Sequence, residues 1–368
     1  MFKRIFIDNY RCFTNFELVP GRVTLLLGPN GGGKSSLFDL LTAVVDLTRQ
    51  GADVREVFPS ESLTRWDKRE RQRVEFDVEG NGGVYHYELV VEQSAEGGPT
   101  LIESERVTRD GKTLFAFHDS NVHLHRNDGS PGASFAFRGT RSFLAQIEER
   151  GETRDLMWLL NFLEDVWTIR LNARAMESGS LEEEETLARD GSNFASWYRH
   201  LTQEIPDRLQ ALWSALKPVV PGLQALKLLS SGGKGRARDL VAAMTTAGSA
   251  YDVDFDELSD GQRALIALYT LLEGIPDAGC LLLDEPEAHI GLAEVQPWLV
   301  ELDEKFAQSG QVFVISHHPE VIDYLAASEP MMVERPDGGP ARARVVKFDR
   351  DSGLPASQQL ARGLSDGE

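Results

Sequence analysis

The 368-residue sequence contains two cysteines, Cys12 and Cys280, too few for a disulfide framework. This scarcity fits a reducing cytosol, where structural disulfides are rare. No apolar stretch approaches the roughly 18 uninterrupted residues that a membrane-spanning helix needs, and the first residues lack the apolar segment of a signal peptide. The sequence therefore predicts a cytoplasmic protein that is neither exported nor embedded in a membrane.

Basic residues are also scarce. The chain has 38 Lys and Arg against 58 Asp and Glu, so its formal net charge is −20. A surface of this sign repels nucleic-acid backbones and anionic lipids on average, and any contact with nucleic acid must be local. One candidate for such a local patch consists of Lys234, Arg236 and Arg238.

A glycine-rich segment near the N-terminus carries the strongest signal. Residues 23–27 are apolar or β-branched, residues 28–35 fit the pattern GxxxxGKS, and the following apolar residues are typical of a helix. Such a loop surrounds a phosphate chain with backbone N–H groups at a helix N-terminus. We expect Lys34 to reach the outer phosphates and Ser35 to hold Mg²⁺. The alternative, an ordinary glycine turn, does not explain the strand before it and the helix after it. The predicted nucleotide contacts in the loop are Asn30, Gly31, Gly32, Gly33, Lys34, Ser35 and Ser36.

Two further apolar runs end in polar side chains. Cys280–Leu283 is followed by Asp284 and Glu285, and residues 312–315 are followed by Ser316 and His317. Parallel strands that alternate with helices bind ligands beyond their carboxyl ends. We therefore predict Asp284 as a Mg²⁺ ligand and Glu285 as the base that activates the attacking water. A capping role for Glu285 is the weaker alternative, whereas His317 taken alone fits a buried core histidine better.

Hydrophobic periodicity divides the chain into three segments. Alternation over 74–78 and 84–91 predicts a hairpin, and more short strands are expected over 100–137. The pattern becomes helical over 142–165, a strand follows at 166–171, and residues 190–193 precede a helix predicted to reach Leu216. A hairpin tip is expected at 232–235. The predicted segments are an N-terminal lobe (1–138), a helical insert (139–230) and a C-terminal lobe (231–368).

The order of the motifs resembles that of ATP-binding-cassette ATPases, and in particular the RecF, SMC and OLD group. The resemblance covers nearly the whole chain. It is carried by the opening Ile7-Asp8-Asn9-Tyr10-Arg11-Cys12-Phe13, the phosphate loop, the Leu-Ser-Asp-Gly-Gln signature at 258–262, the Asp-Glu-Pro after an apolar strand, the Ser-His after another, and Asp190-Gly191-Ser192-Asn193. It implies an α/β fold: an ATP-binding-cassette-type P-loop NTPase head with an antiparallel β-rich lobe, a parallel-sheet lobe and a helical insert.

The resemblance also implies roles for individual residues and for cofactors. ATP and Mg²⁺ would be the cofactors, His317 the switch histidine, and Arg11 a residue near the nucleotide. Two heads would sandwich two ATP molecules as a homodimer. The signature residues that would contact the partner's ATP are Ser259, Gly261 and Gln262. Two elements depart from the pattern: residues 287–291 lack a clear D-loop aspartate, and the Q-loop glutamine is best matched by Gln146, as a metal ligand, with Gln72 a poorer second.

Histidines 118, 123 and 125 lie close together in sequence, and the last two would share one face of a strand. A metal site needs more ligands than this pair. Strand polarity is the simpler explanation, and the metal alternative is kept open.

Three functions share such a head. The first is an ATPase that controls a separately encoded effector, a nuclease or toxin, as in phage defence. The second is a RecF-like ATPase that acts directly on DNA, and the third is a transporter's nucleotide-binding subunit. The opening motif and the uncertain Q-loop oppose the third, and the acidity favours a protein partner over DNA. OLD-type proteins carry a Toprim nuclease after the head, but only about fifty residues follow His317, below the usual size of a domain. We expect no nuclease in this chain.

Overall fold

The computed structural model describes residues 1–93, 98–231, 236–328 and 330–364. Two large sheets and one small sheet organise this part of the chain. The predicted hairpin tip at 232–235, with Lys234, lies outside the described residues.

An antiparallel sheet of eight strands is formed mostly by the N-terminal third of the chain. Its strands are β1 (Phe2–Asp8), β2 (Phe16–Leu18), β4 (Arg71–Gly80), β5 (Gly83–Glu92), β6 (Leu101–Arg109), β7 (Lys112–His118), β8 (Asn121–His125) and β9 (Pro131–Ala136). The spatial order is β2-β1-β4-β5-β6-β7-β8-β9. The hairpin predicted from residues 74–91 is the pair β4–β5, which closes at Gly80 and Gly83.

The central sheet has six strands. They are β3 (Val23–Leu27), β10 (Val166–Ile169), β15 (Cys280–Asp284), β16 (Gln311–Ile315), β17 (Met331–Glu334) and β18 (Arg342–Val345). The spatial order is β10-β15-β16-β3-β17-β18, and every neighbouring pair except β17–β18 is parallel. The carboxyl ends of β3, β15 and β16 therefore meet at one edge of this sheet, as the sequence predicted.

A third, antiparallel sheet joins the middle of the chain to its C-terminal part. Its strands are β11 (Gly179–Ser180), β12 (Leu223–Ser230), β13 (Arg238–Thr246) and β14 (Ser249–Asp254). The strand β12, which the sequence reading did not identify, pairs with β13. The proposed three-segment division remains a prediction, and strands of the central sheet come from all three segments.

Nine α-helices occur in the described part of the chain. They are α1 (Lys34–Thr48), α2 (Val54–Val57), α3 (Arg154–Glu164), α4 (Phe194–Glu204), α5 (Pro206–Val219), α6 (Asp260–Gly274), α7 (Leu292–Phe306), α8 (Pro319–Leu325) and α9 (Ala356–Ala361). None of them is long and apolar enough to cross a bilayer.

Alternate residues of β3 show how the layers pack. Leu26 belongs to a hydrophobic core that also contains α1, α3 and the inner face of the eight-stranded sheet. Leu25 and Leu27 point to the opposite side, into a core with α4, α5, α6 and α7. The central sheet is thus covered on both faces, which explains why its strands are apolar without alternation.

Two helix predictions were wrong in extent. The segment 142–165 forms only a 3₁₀ turn at Phe143–Gln146 and then α3, and residues 147–153 between them are not helical. The helix predicted from 190–193 to Leu216 is two helices separated at Ile205, because Pro206 begins α5 and cannot donate the backbone hydrogen bond that a continuous helix requires.

A buried carboxyl group in the eight-stranded sheet predicts pH-dependent stability. Glu105 is buried, and it accepts hydrogen bonds from Tyr87 Oη at 2.9 Å and Ser142 Oγ at 2.7 Å. Burial raises the pKa of Glu105 to about 7 in spite of these donors. A raised pKa in the folded state stabilises the protein below the unfolded pKa, and this contribution is lost as the pH rises through 7.

We expect wild type to lose about 3 kcal/mol of unfolding free energy relative to Glu105→Gln between pH 5 and pH 8. Glutamine has no proton to lose at this site, so the variant is the reference that lacks only this titration. Chemical denaturation of both proteins at each pH measures the difference. Parallel curves for the two proteins would show that Glu105 does not titrate in this range.

Candidate active site

A cavity of 730 Å³ opens at the carboxyl edge of the central sheet. It brings together residues that are far apart in sequence. Its predicted lining residues are Arg11, Asn30, Gly31, Gly32, Gly33, Lys34, Ser35, Ser36, Asp284, Glu285 and His317. Other residues that line it were not predicted; they are Cys12, Glu61, Leu63, Arg65, Trp66, Arg170, Ile315 and Arg335.

The phosphate loop lies against the backbone of β17. Gly28 has φ 139°, and a Cβ there would lie 2.1 Å from the carbonyl oxygen of Val333. A Cβ on Gly32 would lie 2.5 Å from the same oxygen. Side chains at these two positions would push the loop away from the strand, so the glycines fix where the loop lies.

Lys34 begins α1 and is buried at the floor of the cavity. Its Nζ donates to the carbonyl oxygens of Gly28 at 2.6 Å and Pro29 at 3.1 Å. Burial lowers the pKa of this ammonium, while the carboxylates of Asp284 and Glu285 act in the opposite direction. A bound phosphate would give this buried cation a counter-charge, which the loop carbonyls that now accept its hydrogen bonds do not supply.

Asp284 provides a test of whether the site fits Mg²⁺. The residue is buried, and within the described part of the chain its Oδ2 accepts no hydrogen bond and has only a 4.0 Å ion pair with Arg170 Nη1. A buried carboxylate oxygen without a hydrogen bond is costly, and a cation bound directly to it would remove that cost. The described residues contain no group of three or more His, Cys, Asp or Glu side chains that could hold a metal. Asp284 and Ser35 instead suit Mg²⁺, which takes few protein ligands and completes its shell with phosphate oxygens and water.

Glu285 and His317 lie on neighbouring strand ends beside Asp284. Glu285 has φ 51°, and its backbone N–H donates to the carbonyl oxygen of Ile315 at 2.9 Å. Glu287 continues this connection because its Oε1 accepts from Ser316 Oγ at 2.6 Å, and burial raises its pKa. The side chain of His317 is exposed at the cavity, so it is not the buried core histidine that the residue alone suggested.

Arg11 is anchored beside the phosphate loop. It forms an ion pair with Asp39 of α1, and its Nη1 lies 3.4 Å from Ser36 Oγ. Asp39 also accepts from Arg189 Nη1 at 2.6 Å. One carboxylate therefore holds two arginines beside the phosphate loop, and Arg11 lines the same cavity as the loop.

The sequence reading missed an aromatic wall of the cavity. Trp66 is 48% exposed, and the guanidinium of Arg335 lies 4.9 Å from its ring centroid. Residues 64–73 contain Arg65, Lys68, Arg69, Arg71 and Arg73, a composition that by itself predicts a solvated charged surface. The signal that could have revealed the wall is the tryptophan itself, which is unusual within a charged surface segment.

The signature segment lies outside the cavity. Ser259 is exposed and caps α6 in a capping box, with its side chain accepting from the backbone N–H of Gln262. The side chain of Gln262 serves the same cap. A Cβ on Gly261 would lie 2.8 Å from the carbonyl oxygen of His289, so the signature packs against the segment that follows Glu285.

The two glutamine candidates lie away from the cavity lining. Gln146 is exposed in the 3₁₀ turn and lines a separate cavity of 390 Å³ with residues of β8 and β9. Gln72 is buried, and its Nε2 donates to the carbonyl oxygens of Asn9 and Ser62. The position of Gln146 does not support its predicted role as a metal ligand, because Gln146 is not among the residues that line the cavity with Ser35 and Asp284.

The three histidines around β8 show no metal site. The rings of His118 and His123 stack at 4.7 Å, and His123 Nδ1 shares a hydrogen bond with Ser134 Oγ at 2.9 Å. No metal-ligand cluster includes them within the described residues. These contacts agree with the simpler explanation, polar residues on an exposed sheet edge.

Comparison with known proteins gives both a family and a fold. The family described as "AAA domain, putative AbiEii toxin, Type IV TA system" matches residues 23–323. No curated protein matches the chain significantly. Among solved structures, the chain is similar to an SMC head bound to the C-terminal winged-helix domain of ScpA, with 15% identity, TM-score 0.56, and coverage of 96% of this chain and 99% of that one. It is also similar to the Pyrococcus furiosus SMC head with an extended coiled coil, bound to the C-terminal domain of ScpA, with 13% identity, TM-score 0.50 and coverage of 99% of each chain.

Proposed function

Since this chain belongs to the AAA domain family described for putative AbiEii toxins and has an ATP-binding-cassette-type head fold like SMC heads, we propose that it hydrolyses Mg²⁺–ATP. One observation carries this proposal. A phosphate loop, an orphaned buried carboxylate oxygen on Asp284, and the side chains of Glu285 and His317 line a single cavity. A nucleotide-binding module without hydrolysis would have no use for the second carboxylate at that strand end.

Each side chain has a place in the proposed reaction. Glu285 accepts a proton from the water that attacks the γ-phosphorus, and His317 orients that water or the γ-phosphate. Lys34 neutralises the outer phosphates as the bond to ADP breaks and inorganic phosphate leaves. Ser35 and Asp284 would hold Mg²⁺, and the positive ion would stabilise the negative charge that develops on the phosphate oxygens. The face of Trp66 that Arg335 does not cover would contact the nucleobase.

The exposed signature supports a dimer as part of the proposal. Ser259 and Gly261 do not line the cavity of their own subunit, and Ser259 is exposed to solvent. A second copy could place its signature over the nucleotide of the first, so that two ATP molecules are held between two subunits. Helix α6 would then direct its N-terminal dipole at the partner's γ-phosphate.

A protein effector is the proposed reader of the nucleotide state. The net charge of −20 suits a basic protein better than a nucleic acid. Arginines on the outer face of β4 are paired with carboxylates, as Arg71 is with Glu103 at 2.6 Å and Arg73 with Glu88 at 2.9 Å, and such pairs leave little charge for a phosphate backbone. The family description names a type IV toxin–antitoxin system, and a system of two proteins supports a separately encoded protein partner. A cytoplasmic location fits the two free, buried thiols.

Purified wild-type protein should release phosphate from ATP, and chelation of divalent ions by EDTA should stop the release.

The effector is tested by affinity purification from native cells in the presence of ATP, with mass spectrometry of the bound proteins. We expect one stoichiometric partner that is retained with ATP, lost with ADP and released by high salt. Nanomolar binding of duplex DNA at physiological salt by the chain alone would instead favour the RecF-like function.

A further inference from the structure

We infer that Arg170 supplies the positive charge beside the γ-phosphate of bound ATP. The inference rests on the proposed function, because it concerns which group of this chain meets the terminal phosphate of ATP. Arg170 follows β10, and nothing in the sequence marks it as part of a nucleotide site.

The sheet register places Arg170 next to Asp284. Strand β10 is one of the two parallel neighbours of β15, and Ile169 pairs with Leu283. The next residue on each strand is therefore Arg170 on one and Asp284 on the other. The Nη1 atom of Arg170 lies 4.0 Å from Asp284 Oδ2, the oxygen that accepts no hydrogen bond.

Backbone hydrogen bonds hold the segment after β10 in place. The N–H of Arg170 donates to the carbonyl oxygen of Arg189 at 2.7 Å, and that of Asn172 donates to Asp190 at 2.9 Å. The motif at 190–193 thus fixes the backbone from which the arginine extends. The side chain itself is 58% exposed, so it can move while its base stays fixed.

Its partner distinguishes Arg170 from the other arginines that line the cavity, because among the described residues the ion pair with Asp284 belongs to Arg170. Arg11 and Arg189 share the carboxylate of Asp39, and Arg335 stacks on Trp66. Within the described residues, the one ion pair of Arg170 is the long one to Asp284. If Asp284 binds Mg²⁺, the ion competes with the guanidinium for that carboxylate, and the guanidinium becomes available to a phosphate.

The surrounding space allows the guanidinium to reach the terminal phosphate. Arg170 lines the phosphate-loop cavity and also an adjoining cavity of 500 Å³, whose other lining residues are Ser35, Asp39, Arg189 and Asp190. It therefore shares a cavity with both Ser35 and Asp284, the two residues that fit Mg²⁺. A planar guanidinium can donate two parallel hydrogen bonds to phosphate oxygens, and it keeps its charge at every working pH.

The γ-phosphate distinguishes ATP from ADP, so the ratio of the two affinities tests the inference. The experiment uses the full chain with Mg²⁺ and fluorescent ADP and a non-hydrolysable ATP analogue, titrated into wild type, Arg170→Ala and Arg170→Lys. The matched control is Arg106→Ala, an exposed arginine on β6 outside the cavity. Melting temperatures check that every variant is folded.

For Arg170→Ala we expect the affinity for the ATP analogue to fall about tenfold and turnover about a hundredfold, with ADP affinity within about twofold of wild type. Arg170→Lys should recover part of the ATP affinity, since it restores charge without the planar fork. Arg106→Ala should match wild type throughout.

Equal losses for both nucleotides would overturn the inference, because they would show that Arg170 only positions Asp284. Unchanged affinities would also overturn it. The affinity ratio is measurable even if the wild-type chain binds ATP and never hydrolyses it. Binding without hydrolysis would refute the proposed ATPase function and leave the inference about Arg170 standing. A wild-type chain that binds no ATP would refute both.

Discussion

Replacing Glu285 with glutamine should lower ATP turnover by about a hundredfold or more and leave ATP binding intact. The amide keeps the shape of the side chain, but it cannot accept a proton from the attacking water. Asp284, Ser35 and Lys34 are unchanged, so the proposed Mg²⁺ and phosphate contacts survive. Phosphate release and fluorescent-nucleotide binding, measured on the same preparation, separate the two effects.

Glu294→Gln is the matched control for this experiment. Glu294 is an acidic residue in the first turn of α7, and it does not line the cavity. Its variant should hydrolyse ATP at the wild-type rate. If Glu285→Gln retained turnover within tenfold of wild type, Glu285 would not be the base, and the orphaned oxygen of Asp284 would need to be considered for that role.

The second large effect concerns assembly. We expect Glu285→Gln to form a dimer when ATP is added, because it binds the nucleotide and cannot release it by hydrolysis. Adding Ser259→Arg should abolish that dimer, since a bulky cation would replace the hydroxyl at the exposed cap of α6 and block the partner's approach. Light scattering of both proteins, with and without ATP, gives the masses.

The control variant for assembly carries Ser249→Arg in the Glu285→Gln background. Ser249 is also exposed, but it lies on β14, away from the signature. This protein should still dimerise with ATP. Equal masses for the Ser259→Arg protein and its parent would refute the sandwich arrangement, and a dimer that forms without ATP would show that another surface joins the subunits.

Local sequence was enough to locate most of the cavity lining. The phosphate loop and the strand ends at Asp284 and His317 are each encoded by about a dozen consecutive residues: an apolar strand followed by polar residues. Parallel pairing then brings those strand ends together without further information. The hairpin β4–β5 was predictable for the same reason, because its turn signal and its alternation lie within one stretch.

Residues that reach the cavity through long-range packing were not predictable. Gln146 fitted the family pattern by its order in the chain, yet the strand that pairs with β15 on the side away from β16 is β10, so Arg170 reaches the edge beside Asp284. Arg335 enters the cavity only because β17 joins β3. Such pairings depend on contacts between distant parts of the chain, and local propensity does not encode them.

The helix break at Pro206 has a different origin. The residues on both sides of it form helices, and hydrophobic periodicity continues across the junction. The proline was visible in the sequence, but its effect depends on whether a helix can begin there, and Pro is well suited to the first position of a helix. It therefore starts α5 and ends the continuity with α4.

The position of β3 has a consequence for how the protein is made. Its two neighbours in the sheet are β16 and β17, which come roughly three hundred residues later in the chain, and Val333 of β17 is the residue against which the phosphate loop rests. During synthesis the ribosome releases the loop long before either neighbour exists. The cavity beside the loop is therefore complete only after residues 331–334 have left the ribosome and paired with β3, so the proposed stabilisation by ATP would come late in synthesis.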